Sequence, residues 1–194
     1  MNKYNSYKDS GVEWIGEIPS HWEKKKLKHI VDYVNGYSFK SGDFDREHEV
    51  PVLRIGDVGD KIDFKKCIKV KNHFFNEKSD FIIKKNDILI GLTGGTIGKS
   101  GRYNYDFPSL LNQRVGLLRN TGKVLNSLLY HYVQSEVFIR YIMFDCYGGG
   151  QDNIGMSDIL QMIFPLPPLK EQQQIVTFLD DKTQKIDSLI QQKE

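Results

Sequence analysis

Hydrophobic and polar positions change period along the chain, and the changes divide it. Between residues 36 and 120 the apolar residues come in short runs. These are Val50-Pro51-Val52-Leu53-Arg54-Ile55, Ile62-Asp63-Phe64, Cys67-Ile68-Lys69-Val70, Asp87-Ile88-Leu89-Ile90 and Val115-Gly116-Leu117-Leu118. Gly, Asn and Asp separate them, which predicts an antiparallel or mixed sheet with functional loops. Residues 125–144 switch to helical spacing: Leu125, Leu128, Leu129, Tyr132, Val133, Val137, Tyr141 and Ile142 share a face, and Asn126 or Ser127 can cap the start. A helix packed on a core is the simplest reading. In residues 1–35, Trp22, Leu27, Ile30, Val31 and Val34 fit a face of either a helix or a strand.

Residues 147–156 read Tyr-Gly-Gly-Gly-Gln-Asp-Asn-Ile-Gly-Met, a tightly approached or mobile loop. Ser157 then caps a short helix that stops at Pro165. Pro168 opens the last element at a first-turn position, where its missing N–H costs nothing. No breaker follows, so the helix reaches up to about 40 Å at 1.5 Å per residue. Its seam is Val176, Leu179, Thr183, Ile186 and Ile190, in alternating steps of three and four, flanked by Ile175 and Leu189. That is a coiled-coil pattern too short to stand alone. It suits either docking on its own domain or pairing with an external or symmetry-related helix, and the straight spacing favours the latter. No internal repeat is evident. The fold class expected is α+β: a mixed-sheet domain over 1–166, then a long coiled-coil-type helix over 167–194.

Composition narrows the function classes. Hydrophobic residues make up 39% of the 194 and charged residues 27%, which rules out global disorder. Two cysteines without a Cys-x-x-Cys argue against a disulfide scaffold or a Cys-built zinc site. The start has no apolar signal core and no apolar run exceeds about five residues, so a cytoplasmic protein without a membrane span is expected. The net charge of +2 is uneven: residues 61–120 hold 12 Lys/Arg against 5 Asp/Glu, a net of +7. Such a local basic field suits either a phosphate-facing surface or a solvated lysine-rich face.

Local motifs exclude more than they assign. Thr93-Gly94-Gly95-Thr96-Ile97-Gly98-Lys99-Ser100 resembles a phosphate loop but has Thr93 where the first glycine belongs, and Gly101-Arg102-Tyr103-Asn104-Tyr105 is no helix start. A glycine-rich hairpin loop carrying Thr96, Lys99 and Arg102 fits better, and it would suit a DNA phosphate. The five histidines share no metal-ligand spacing. Asp63-Phe64-Lys65 and Glu23-Lys24-Lys25 match only the carboxylate-x-Lys end of a nuclease signature. No Gly-x-Ser-x-Gly elbow is present. Asn112-Gln113-Arg114 is more suggestive: Asn and Gln can bond adenine bidentately, and Arg guanine, in the major groove. Gln151 and Asn153 have the same capacity. All of these amides could equally bond loop backbone.

Several segments together resemble the specificity subunit of Type I restriction–modification systems. They are Tyr7-Lys8-Asp9-Ser10-Gly11-Val12-Glu13-Trp14-Ile15-Gly16-Glu17-Ile18-Pro19-Ser20-His21-Trp22, Pro51-Val52-Leu53-Arg54-Ile55-Gly56-Asp57-Val58, Asn86-Asp87-Ile88-Leu89-Ile90, Gly95-Thr96-Ile97-Gly98-Lys99 and, most specific, Phe164-Pro165-Leu166-Pro167-Pro168-Leu169-Lys170-Glu171-Gln172. They occur in the family's order across nearly the whole chain. The resemblance implies a target recognition domain followed by a conserved helix. It implies binding of double-stranded DNA at a bipartite target, and scaffolding of the methyltransferase (modification) and motor-nuclease (restriction) subunits. It implies no catalytic centre here, with S-adenosylmethionine on the modification subunit. Family members usually carry two recognition domains and two antiparallel helices. This chain has one of each, as a naturally short product, a piece of a split gene or a cut chain. A second copy would restore the pair as an isologous homodimer.

On side-chain chemistry and loop location, base readout is expected at Asn112, Gln113, Arg114, Gln151 and Asn153. Phosphate contacts are expected at Arg54, Thr96, Lys99 and Arg102, with Lys40 as an addition. Tyr37 and Tyr103 would stack or wedge at the groove edge. Val176, Leu179, Thr183, Ile186 and Ile190 would hold the dimer or the modification subunit. Two rivals stand beside this reading: a DNA-binding or decoy module that captures modification subunits, and a metal-dependent nuclease using Asp63.

Overall fold

The computed structural model describes residues 4–59, 61–148 and 153–192. Strands β1 (Tyr7–Asp9) and β2 (Glu17–Pro19) form a hairpin. Then come β3 (Glu23–Lys26), β4 (Val31–Asn35), β5 (Val50–Leu53) and β6 (Ile68–Val70), followed by the short helix α1 (His73–Glu77). The core strands follow: β7 (Ile82–Ile83), β8 (Ile88–Gly91), β9 (Ser100–Arg102), β10 (Ser109–Leu111) and β11 (Val115–Asn120). The chain closes with α2 (Asn126–Gln134), α3 (Glu136–Gly148), α4 (Met156–Gln161), β12 (Ile163–Leu166) and α5 (Leu169–Gln191).

Two four-stranded sheets carry the domain. One, in the order β4-β11-β8-β9, is antiparallel throughout. The other, β6-β5-β10-β7, is mixed, because β10 runs parallel to β5. A two-stranded β12–β3 ladder ties the segment before α5 to the start of the chain. The fold is therefore α+β, with one antiparallel and one mixed four-stranded sheet and a long C-terminal helix.

The runs of β8 and of residues 115–118 in β11 are buried at every position, on both faces, which is why they read as continuous rather than alternating. On β8, Ile88 and Ile90 pack towards α2, α3 and α4, while Leu89 points into the layer between the sheets with Leu53, Leu111, Val115 and Leu117. On the far side of the mixed sheet, Val50, Val52, Val70 and Leu110 lie under aromatics that include Phe74 and Phe75 of α1. Asp87, only 2% exposed, is bound by Arg119 through Nε at 2.8 Å and Nη2 at 2.6 Å.

Several expectations need correction. The helix expected over 125–144 is two helices. Ser135 breaks it by donating its hydroxyl to the Tyr132 carbonyl (2.6 Å) and accepting from the Phe138 N–H (3.4 Å). Leu125, not Asn126 or Ser127, is its N-cap, and Pro168 is the N-cap of α5 rather than its first residue. Gly155, not Ser157, caps α4, which ends at Gln161, and Pro165 lies in β12. Residues 62–64 form no strand: the Ile62 N–H is taken by the Tyr105 hydroxyl at 3.1 Å. The ambiguous segment 22–34 is strand, a 3-10 turn, then strand.

Gly36 sits where no side chain fits, since an added Cβ would overlap the Asn112 carbonyl. Gly36→Ala is expected to cost about 1–3 kcal/mol through overpacking and to shift the amide resonances of Asn112 and Gln113; an unshifted spectrum would show that this approach does not hold the turn. Asp87→Ala leaves the Arg119 guanidinium partly buried and unpaired, and Arg119 keeps some access to water. The expected loss is about 3 kcal/mol, the low end for breaking a buried pair, read from urea denaturation; a loss below about 1 kcal/mol, as for an exposed pair, contradicts it.

Candidate nucleic-acid interface

The turn between β10 and β11 is where the ends of several strands converge. The Asn112 N–H donates to the Leu53 carbonyl at 3.0 Å, and the Gln113 N–H to Tyr37 at 2.9 Å. Tyr37 returns a bond to Leu111 at 2.8 Å, and the Leu92 N–H donates to the Arg114 carbonyl at 3.1 Å. The backbone of 112–114 is thereby tied to the scaffold, while the side chains of Gln113 and Arg114 stay exposed.

Gln113 and Arg114 form a ridge between two open clefts of about 500 Å³ each. One cleft is bounded by Thr93, Gly94 and Asn153. Asn153 is held there by an antiparallel bridge to Thr93, and the Ile154 N–H donates to Leu92 at 2.9 Å. The other cleft is bounded by Arg54, Asp57, Asn112, Ser41 and the rings of Phe39 and Phe44. The structure therefore brings Arg54, Asn112, Gln113, Arg114 and Asn153 together. Gln151 lies outside the described residues.

Two similar turns flank the second cleft. The Asp57 carboxylate accepts the Arg54 N–H at 2.9 Å, and Asp43 accepts the Lys40 N–H at 2.8 Å. Each aspartate fastens a turn whose preceding cation is exposed. Sequence reasoning missed Ser41 and Asp57, although the repeated Gly-Asp of Ser41-Gly42-Asp43 and Ile55-Gly56-Asp57 marks both turns. Lys99 is exposed beside Gly59, two residues past the turn that Asp57 closes.

Several expected contacts are placed elsewhere. Tyr103 is fully buried between the sheets, so it cannot wedge into a groove. Its hydroxyl donates to the Phe107 carbonyl at 2.7 Å and lies 2.9 Å from Ser109 Oγ, and burial pushes its pKa up to about 12. Tyr37 is packed against Phe39 and Phe81, with Lys78 over its ring at 4.4 Å. Arg102 points towards α2, 5.2 Å from the Tyr130 ring and 3.4 Å from Ser127 Oγ, away from the clefts. The Thr96 hydroxyl donates to the Thr93 carbonyl at 3.0 Å, so it has no proton left for a phosphate. The glycine-rich segment is a hairpin loop. Its N–H groups at Ile97, Gly98 and Lys99 bond to Gly94, Gly91 and Thr96 within the loop and strand.

In both carboxylate-x-Lys tripeptides the acid is engaged by a lysine. Glu23 pairs with Lys25 at 2.7 Å and Asp63 with Lys66 at 3.0 Å, and the Lys66 hydrogen bond holds the Asp63 carboxyl below its usual value. Among the described residues, no group of three or more His, Cys, Asp or Glu is placed to hold a metal, and no helix is long and apolar enough to cross a membrane.

The helix seam is divided. Val176 is 6% exposed and belongs to the domain's own core, so it cannot also lie in a dimer interface. Leu179 is half-buried, while Thr183, Ile186 and Ile190 are exposed, together with Leu189.

Comparison with known proteins adds the family. Residues 19–194 match the Type I restriction modification DNA specificity domain. The chain is 32% identical over 197 aligned positions to the Type I restriction enzyme MjaVIII specificity subunit of Methanocaldococcus jannaschii, covering 98% of this chain and 44% of that protein. It is 30% identical over 179 positions to the EcoAI specificity subunit of Escherichia coli, covering 89% of this chain and 30% of that one. This chain thus spans less than half of either relative. The crystal structure of the HsdS subunit from Thermoanaerobacter tengcongensis has the same fold, with a TM-score of 0.70 at 20% identity over 97% of this chain and 43% of that one. By motif order, fold and match, the chain belongs to the family of Type I restriction modification DNA specificity domains.

Proposed function

We propose that this chain is the non-catalytic, sequence-reading part of a Type I restriction–modification complex, and that it reads one half of a bipartite DNA target. The observation that carries this is the Gln113–Arg114 ridge. It is exposed, fixed by its backbone, and set between clefts edged by Asn112, Asn153 and Arg54. Amides and a guanidinium supply major-groove donors and acceptors, and Lys40, Arg54 and Lys99 supply cations for the phosphates on either side. Residues 1–166 act as the recognition domain and 167–194 as the helix that joins it to its partners. The reaction itself, with S-adenosylmethionine, belongs to the modification subunit, and the complex works on cytoplasmic DNA.

A single half-site offers few base contacts, each mismatch costing roughly 1–3 kcal/mol. Two linked half-sites gain selectivity without new contacts. The exposed stripe of Ile186, Leu189 and Ile190, each more than half exposed, supports pairing with an antiparallel second copy. A chain covering 44% of a relative leaves room for one such duplication.

Gln113→Ala and Arg114→Ala are expected to lower discrimination at one base pair each by about 1–3 kcal/mol, measured against a panel of single-base target variants; unchanged discrimination removes the residue from the reading set. Lys99→Ala should weaken binding to all sequences alike and lower the salt slope by about one, whereas Arg102→Ala, engaged with α2, should leave the slope as it is. Equal slopes for Lys99→Ala and wild type would take Lys99 off the phosphate path.

Light scattering of the pure chain should give about twice 22.5 kDa, and Ile186→Asp/Ile190→Asp should return it to a monomer. A wild-type monomer that still binds a modification subunit, without supporting methyl transfer, would favour the decoy reading. One that ignores the modification subunit would refute the scaffold role.

A further inference from the structure

Glu171 and Gln172 stand side by side in the first turn of α5 and hold two different parts of the domain. The Glu171 carboxylate receives Tyr4 Oη at 3.1 Å, His21 Nε2 at 2.6 Å and Trp22 Nε1 at 2.9 Å. Partial burial pushes this carboxyl's pKa up, but the bonds from Trp22, His21 and Tyr4 outweigh burial and hold it below its usual value. Gln172 is 2% exposed. It accepts the Leu125 N–H at 2.8 Å, at the start of α2, and donates to the Pro167 carbonyl at 2.9 Å. Val176 and then Asp180 continue the Gln172 face at steps of four; Asp180 lies 2.8 Å from His131 of α2. Beyond Asp180 every described residue of the helix is exposed.

The helix is thus a lever held at one end. Apolar contact is non-directional and alone would let the helix roll or slide on the domain. Hydrogen bonds fix direction, and breaking a buried one leaves a costly unpaired group. The stakes follow from length. Gln191 lies about 28 Å beyond Gln172 at 1.5 Å per residue, so a tilt of about 10° at the base moves the tip by about 5 Å. That exceeds the rise of one base pair, about 3.4 Å.

We infer that Glu171 and Gln172 are positioning residues: they fix the angle at which α5 leaves the recognition domain, and so the spacing and rotational phase at which a paired domain meets DNA. This rests on the bipartite reading above, and the test separates the two.

Spin labels at Asn104→Cys and Gln184→Cys, both exposed positions, measure the helix angle in protein diluted with unlabelled chain. Cys146 is replaced. Cys67 stays, because it is buried and burial pushes its thiol up to about 11, out of reach of the label. The wild-type chain should give one narrow distance. Glu171→Gln and Gln172→Leu should each broaden it while the domain stays folded; equally narrow distances overturn the inference. If Gln172→Leu fails to fold, the milder Glu171→Gln still decides.

In parallel, binding is measured to a single half-site and to inverted half-sites whose spacer grows one base pair at a time. The variants should keep half-site affinity and lose roughly tenfold in discrimination between spacers. A retained spacer preference in the variants counts against the inference. A wild-type chain without any spacer preference removes the bipartite reading, and the spin-label distances then decide the anchoring alone.

Discussion

The turn Asn112–Arg114 is held by its backbone, and the reading face depends on that. Bonds to Leu53 and Tyr37 and from Leu92 fix its position. None uses a side chain of the turn itself. The fold is therefore indifferent, to first order, to which residues stand at 113 and 114, because both side chains are exposed and neither is needed for a ladder bond. A recognition domain gains from this separation: backbone keeps the frame, and side chains carry the message. The constraint moves instead to Gly36, where any Cβ would meet the Asn112 carbonyl. The turns at Lys40–Asp43 and Arg54–Asp57 repeat the arrangement, with the aspartate closing the backbone and the cation turned outward.

How much of this was legible follows from burial and strand direction. The runs at 50–53, 88–91 and 115–118 could be read because strands buried on both faces are apolar along their length, and Ile68-Lys69-Val70 by its alternation. Gln113 and Arg114 could be read as exposed because they sit in a turn. Arg102 and Tyr103 misled, and for one reason: they are neighbours at the end of β9, so their side chains leave on opposite faces. Tyr103 enters the layer between the sheets and Arg102 meets α2. Which face is which depends on the partners of β9, and spacing alone does not hold that. Ser135 was invisible for another reason, since helical periodicity continues across a residue whose hydroxyl serves both ends of the break.

The C-terminal helix shows what a heptad pattern can and cannot say. It placed Val176, Leu179, Ile186 and Ile190 on one stripe, and the structure divides that stripe between two neighbours. Val176 is covered by the domain, with Ile175 packed against the same core, while Ile186 and Ile190 are exposed among the described residues. Periodicity reports that a face will be buried but not by what. The change of neighbour coincides with Asp180, the last residue of α5 bonded to the domain among those described.

Among the described residues, none beyond Asp180 gives the distal part of α5 a bond to the domain. From Asp181 to Gln191 it offers i,i+4 help from Lys185–Asp181 at 2.8 Å, and exposed Ile186, Leu189 and Ile190. A segment of that length is marginal as an isolated helix in water, and one exposed i,i+4 pair adds only about 0.3–0.5 kcal/mol. Its order therefore comes from the docked turns before it and from whatever covers its apolar stripe. Both requirements favour the same design: an anchored base gives the distal turns a fixed starting direction, and a partner helix completes them by burying the stripe. The spacing between two reading faces then depends on two contacts that can be altered separately, the base of the helix and its far seam.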